Sequence, residues 1–284
     1  MVMRLAVSNI AWGAGEREAA HALLAESGVA GLEIAPGLAF ADQVDPFVPS
    51  DAAVREWRED LDRHGLSPVS MQSLLFGVSG ASLFGSSSER RAFEEGIGRA
   101  VDLGERLGCR NLVLGSPTAR CVPDGMTRTE ADGVATDVLG RLGDRCRAAG
   151  ITLALEPNPA AYGTNFLNTL AETTALVRAI GHPAVTVNFD IGALRLNGET
   201  EVALAALPLD VAHLSHVHIS EPHLAPAPSD AETLAPILSA LDWAGYSGWV
   251  SIEMRAGETD NIGRLRASVQ TAQRAVRLAA DIPA

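Results

Sequence analysis

Short runs of apolar, β-prone residues alternate with longer amphipathic stretches from one end of the chain to the other. The apolar runs fall at 5–11, 31–35, 68–73, 111–115, 152–156, 185–190, 213–219 and 249–254. Each is bounded by Gly, Pro, Asn or Ser, as strands buried in a parallel sheet are. Between and after them, the stretches 16–27, 50–64, 88–107, 129–149, 168–180, 199–206, 229–244 and 261–280 predict helices. Ser50-Asp51 is a helix-starting signal, because a Ser or Asp oxygen can accept from the free backbone N–H groups of the first turn. Gly28, Gly65, Gly108, Gly150 and Gly181 close five of the helices, where a residue tolerant of left-handed backbone is needed. Long amphipath, glycine, apolar strand is the sequence form of a βα unit.

Eight such units predict an α/β fold, a single (β/α)8 barrel domain over residues 1–284. An open doubly wound sheet shares the alternation, but more often has about five to seven strands. It would also carry a GxGxxG turn after the first strand, and Asn9-Ile10-Ala11-Trp12-Gly13-Ala14-Gly15 does not fit that pattern. No Pro-, Ser- or charge-rich linker divides the chain. The irregular stretches 36–49, 74–87 and 116–128 follow strands and should rim the C-terminal mouth of a barrel.

Composition narrows the function classes. Hydrophobic residues make up 47% and charged residues 20%, a globular balance. The net charge of -13 repels phosphate backbones and disfavours a nucleic-acid partner. Three cysteines with no CxxC pair fit a reducing compartment, and Cys109 and Cys146 read as buried packing. With no leader-like start and no run of about 18 apolar residues, the expected location is cytoplasmic, away from membranes.

The chemistry concentrates in the last four strands. They place Glu156, Asp190, His218 and Glu253 near their C-terminal ends, where neighbouring strands lie about 5 Å apart. Three carboxylates brought together without a cation would repel one another and take up protons, a conflict that a divalent ion removes. One His with three carboxylates is a hard, mixed set suited to Mn²⁺ or Mg²⁺, and able to take Co²⁺ or Zn²⁺. His216 shares the strand face of His218 but lies deeper, so His218 is the expected ligand and His216 a supporting residue.

At these residues the chain resembles the xylose isomerase-like TIM barrels, in particular the sugar phosphate isomerase/epimerase group. The resemblance runs over essentially the whole chain. Arg4 to Trp12, Gly31-Leu32-Glu33-Ile34-Ala35-Pro36 and Met71-Gln72-Ser73-Leu74-Leu75-Phe76-Gly77 are similar to its first three strands. Glu156-Pro157-Asn158-Pro159, Asp190, His216-Val217-His218-Ile219-Ser220-Glu221-Pro222 and Ile252-Glu253-Met254 are similar to its metal-binding strands. The resemblance implies one divalent metal, Mn²⁺ foremost, on Glu156, Asp190, His218 and Glu253. It further implies that Glu156 and Glu253 act as the catalytic acid/base pair, moving a proton through an enediolate while the metal polarises the carbonyl. The chain departs from the ketose epimerases of this superfamily at Ala193, where they carry a histidine. It departs again at Tyr162, where they carry a glutamate, and at Leu224, beside His223, where an arginine is frequent. The metal set transfers; free-ketose 3-epimerase activity does not.

Asn9, Gln72 and Asn158 are uncharged polar residues near strand ends, suited to sugar hydroxyls. Tyr162, His223 and Arg255 complete the expected substrate contacts. Arg120 and Arg255 could hold a phosphate or carboxylate, although Arg255 could instead neutralise the cluster beside it. Glu33 reads equally as a mouth residue or a structural carboxylate. Trp12 and Phe76 read more as core than as a wall against a sugar, and His21, His64 and His182 read as surface residues. The expectation is a metal-dependent isomerase or epimerase of a small sugar-like molecule, with a homodimer left open. A dehydratase of a keto-cyclitol begins with the same proton abstraction. An abasic-site endonuclease would need three zinc ions and more histidines than Gln72, Gly115-Ser116 and Ala193 leave, and a sugar-binding barrel without turnover would not need all four ligands.

Overall fold

In the computed structural model, which describes residues 3–283, the eight apolar runs become eight strands. They are β1 (Arg4–Ser8), β2 (Gly31–Ile34), β3 (Ser67–Met71), β4 (Asn111–Leu114), β5 (Thr152–Leu155), β6 (Val185–Asp190), β7 (Leu214–Ser220) and β8 (Trp249–Glu253). All pair in parallel and in sequence order, and β1 pairs with β8 to close the barrel. The helices are α1 (Arg17–Glu26), α2 (Pro36–Ala39), α3 (Asp51–His64), α4 (Ser87–Leu107), α5 (Arg128–Ala148), α6 (Leu170–Ile180), α7 (Ile191–Asn197), α8 (Thr200–Asp210), α9 (Ala231–Trp243) and α10 (Asn261–Ala280). This is the (β/α)8 TIM barrel. No helix among the described residues is long and apolar enough to cross a membrane.

The caps explain the boundaries. Ser50 accepts from the Ala53 N–H, and Ser86–Glu89 and Thr127–Glu130 form reciprocal capping boxes at the starts of α4 and α5. Apolar faces such as Phe93, Ile97 and Leu103 of α4 are then buried. The barrel interior, by contrast, is largely polar and bonded. Near the strand starts, Asn111 donates to Ser70 Oγ at 3.0 Å and accepts from Ser215 Oγ at 2.8 Å. β4 and β7 are not neighbours, so that second bond crosses the interior.

Four expectations shift. β1 ends at Ser8, not residue 11, because Ser8 Oγ accepts from the Ile10 N–H and the chain turns into a 3-10 turn at Asn9–Ala11. Two short helices occupy stretches without a predicted element: α2, and α7, which starts directly after β6 on an Asp190 cap. α8 runs past residue 206 to Asp210 and accommodates Pro208. His21 is not a surface residue: it is 1% exposed, and its Nδ1 lies 2.8 Å from the buried carboxylate of Asp60. The α1 face that carries His21 turns toward α3, and Asp60 supplies the partner that lets an imidazole be buried.

Candidate metal centre

Each of the four expected ligands is delivered by a strand end. Glu156 follows β5, Asp190 ends β6, His218 lies within β7 opposite Asp190, and Glu253 ends β8 opposite Ser220. One ligand atom from each lies within 4.8 Å of all the others. His218 Nδ1 is 3.1 Å from Glu156 Oε1, 3.2 Å from Glu253 Oε2 and 3.5 Å from Asp190 Oδ2. The donor set is three carboxylates and an imidazole nitrogen, which fits a divalent cation.

The surroundings fix each group. Glu156 accepts from Asn188 Nδ2 at 2.9 Å on Oε1 and from Asn158 Nδ2 at 3.0 Å on Oε2. Gly115 at the end of β4 leaves room for it, since a Cβ there would sit 2.6 Å from Glu156 Oε2. Asp190 accepts from Ser220 Oγ at 2.8 Å and from the Ala193 N–H, so one carboxylate both caps α7 and faces the cluster. On the far side of the His218 ring, Nε2 lies 3.1 Å from Glu33 Oε1. A carboxylate behind a metal-binding imidazole fixes its tautomer and orients the other nitrogen, and here the other nitrogen, Nδ1, faces the three carboxylates.

Charge is concentrated here. Burial pushes the Glu253 carboxyl up to about 7, the carboxylates of Glu156 and Asp190 add to the rise, and His218 works against it. Burial would lower His218, but Glu33, Glu253, Asp190 and Glu156 outweigh it and hold the imidazole well above its ordinary value. Burial would raise Glu33, yet His218, His216 and Ser70 hold it at about 2. His216, bonded at 2.8 Å to Ser251 Oγ, is pushed down to about 4 by burial and is neutral.

Among the described residues, two other groups could gather around an ion. Glu33 and His216 are buried behind His218, at 0% and 1% exposure, and neither lines the cavity that His218 faces. His21, Asp60 and His64 share Asp60, which already bonds Arg63 at 2.7 Å and His21. All four residues of the Glu156, Asp190, His218 and Glu253 group line a cavity of about 470 Å³.

Gln72, Asn158, Tyr162, His223 and Arg255 line that cavity, as do Ala193 and Leu224. Asn9 does not: its amide is engaged with both the N–H and the carbonyl of Ala35, at 2.7 and 3.3 Å. Tyr162 Oη accepts from the His223 N–H at 2.9 Å and its ring meets the imidazole edge-on, joining two mouth loops. Ser73, Ser116, His223 and Leu224, all on the lining, have φ between 45° and 61°, strained backbone of the kind concentrated at functional sites. Arg255 is exposed and makes no ion pair with the cluster among the described residues. Arg120 is not available to a phosphate: it is buried beneath Glu156 and Asn158. Trp12 is core and Phe76 is 57% exposed. Sequence reading passed over Asn188 and Ser220. The signal was present, since each stands two residues from an expected ligand on its own strand and so shares its face.

A family model for the xylose isomerase-like TIM barrel matches residues 21–280. Among curated proteins, none matches the chain in sequence. Solved structures resemble it along almost their entire length. An L-ribulose 3-epimerase superposes with a TM-score of 0.79 at 18% identity, covering 98% of this chain and 96% of its own. A D-allulose 3-epimerase from Methylomonas sp., in complex with D-allulose, gives 0.75 at 19%, covering 96% and 97%. A family 2 AP endonuclease from Brucella melitensis gives 0.70 at 22%, covering 93% and 97%. At such identities these likenesses speak for the fold, and the sequence model decides membership: the chain belongs to the xylose isomerase-like TIM barrel family.

Proposed function

We propose that this protein is a metal-dependent isomerase or epimerase of a small, polyhydroxylated carbonyl compound. The observation that carries the reading is the pairing of Glu156 and Glu253, from β5 and β8, around one candidate metal site on the floor of a 470 Å³ cavity. Glu156, Asp190, His218 and Glu253 would hold the ion, with Mn²⁺ the best match to the donor set. The ion would polarise a substrate carbonyl oxygen, making the adjacent C–H acidic. Glu253, on one side of the site, would remove that proton on its carboxylate and carry it. Glu156, held by the two asparagine amides, would take up a proton from solvent and return it to the carbon from the other flank. Gln72, Asn158, Tyr162 and His223 offer polar contacts to hydroxyl groups.

The test is solvent exchange. In deuterated water, the metal-loaded protein should place deuterium on the carbon next to the carbonyl of a turned-over sugar. Glu253→Gln should lose about 10²–10⁴ in rate while still binding a substrate analogue, because an amide cannot take the proton. Near-normal turnover in that variant would remove Glu253 from the chemistry. A product lacking one water would move the assignment to a dehydratase, which begins with the same proton abstraction.

A further inference from the structure

Arg120 is the bulkiest of the fully buried side chains, 1% exposed, in the 3-10 turn Pro117–Arg120 after β4. A buried guanidinium is costly without partners, so its few contacts matter. Nη2 donates to the carbonyl of Glu156 at 3.0 Å and to Asn158 Oδ1 at 2.6 Å, while Nε and Nη1 have no partner. It does not reach the cavity lining, so it is not a substrate contact.

Its effect runs through Asn158. With Oδ1 held by the arginine, Nδ2 is turned onto Glu156 Oε2 at 3.0 Å and onto the Pro157 carbonyl at 3.2 Å. A carboxamide fits its space equally well after a half-turn about its last bond. Here that half-turn would set an N–H against the guanidinium and a carbonyl oxygen against the Glu156 carboxylate, donor on donor and acceptor on acceptor. The amide on the other carboxylate oxygen has no such anchor, since Asn188 Oδ1 is buried without a partner.

We propose that Arg120 is a positioning residue: it locks the Asn158 amide in one orientation and so sets the Glu156 carboxylate in the geometry of the metal centre. The proposal rests on the reading of Glu156 as a metal ligand.

A double-mutant cycle tests it on chelator-stripped protein, with Mn²⁺ affinity read by calorimetry and folding checked by circular dichroism. Arg120→Met and Asn158→Leu should each weaken Mn²⁺ binding by about tenfold, the lower end of what loss of a supporting group costs a metal site. The double variant should be no more than about twofold weaker than either, because both changes break the same chain of contacts. Independent losses, multiplying to about a hundredfold, would show the arginine acting by another route and overturn the proposal. Asn158→Leu leaves the buried charge in place and serves if Arg120→Met does not fold: unchanged affinity in that variant is equally fatal. Asp190→Asn separates the two readings. If it loses Mn²⁺ while Arg120→Met and Asn158→Leu keep it, the positioning role falls alone. If Asp190→Asn also binds normally, the metal reading falls and takes the proposal with it.

Discussion

At the scale of single residues, the two histidines of β7 show how one strand face is divided by depth. His218 meets three carboxylates at Nδ1 and Glu33 at Nε2, whereas His216 meets Ser251 and is neutral. His218→Ala should therefore empty the metal site and His216→Ala should largely keep it, as metal analysis of protein purified without chelator will show. The charge state adds a pH signature. Without an ion His218 carries a proton well above its ordinary pKa, because the surrounding carboxylates outweigh burial. An ion on Nδ1 must displace that proton, and below about 7 it must also displace the one on Glu253. Affinity for Mn²⁺ should thus rise with pH, with about two protons released per ion below that point and about one above it. Titrations in buffers of different ionisation enthalpy count those protons; an affinity flat from about pH 6 to pH 8 would contradict the charge assignment.

At the scale of elements, the short helix α7 ties the candidate metal centre to the barrel wall. It starts on the Asp190 cap, and the N–H of Gly192 donates to Ser220 Oγ at 2.8 Å, which in turn donates to Asp190 Oδ2. Gly192 permits this close approach: a Cβ would lie 2.8 Å from Ser220 Oγ and 2.9 Å from the backbone of Glu221. Backbone cannot swing aside as a side chain can, so Gly192→Ala should cost about 1–3 kcal/mol through overpacking. It should also weaken metal binding, because Ser220 and Asp190 are displaced together. Urea unfolding of the stripped protein and a parallel Mn²⁺ titration measure the two effects. A variant with normal stability and normal affinity would show that α7 is not held as described.

At the scale of the whole molecule, one carboxylate of the candidate metal centre, Glu253, works against the stability of the fold that holds it. The Glu253 carboxyl has a folded-state pKa of about 7 against an ordinary 4.5, so the folded protein holds this proton more tightly than the unfolded chain. Raising the pH through that window favours the unfolded chain, and the penalty is complete above about 7. The shift bounds the penalty at roughly 3 kcal/mol. Glu253→Gln removes the ionisation, and in chelator at about pH 8 it should melt some 3–6 °C above the parent. At about pH 4, where the parent carboxyl is protonated in either state, the two should melt together. Equal melting at pH 8 would show that the cluster carries no such strain. Added Mn²⁺ should reverse the ranking, since only the parent keeps the full ligand set.

The alternation of apolar runs and glycine-closed amphipaths was enough, on the sequence alone, to give eight strands in order and a closed barrel. These signals are local: a strand buried on both faces must be apolar, and a helix ends without strain on a glycine. The polar residues at the ends of β5 to β8 were legible for the same reason, as exceptions to an apolar rule. Contacts between segments distant in sequence were not legible. Glu33 reaches His218 across 185 positions, and Arg120 reaches Asn158 across 38. No periodicity records whether a carboxylate faces a cavity or the back of an imidazole, or whether an arginine meets solvent or a buried amide. Asn9 and Arg120 looked like substrate contacts because polar residues beside strand ends are exposed to the mouth in some barrels and buried under its loops in others. The path of those loops over the mouth decides between the two, and it is a property of the tertiary structure.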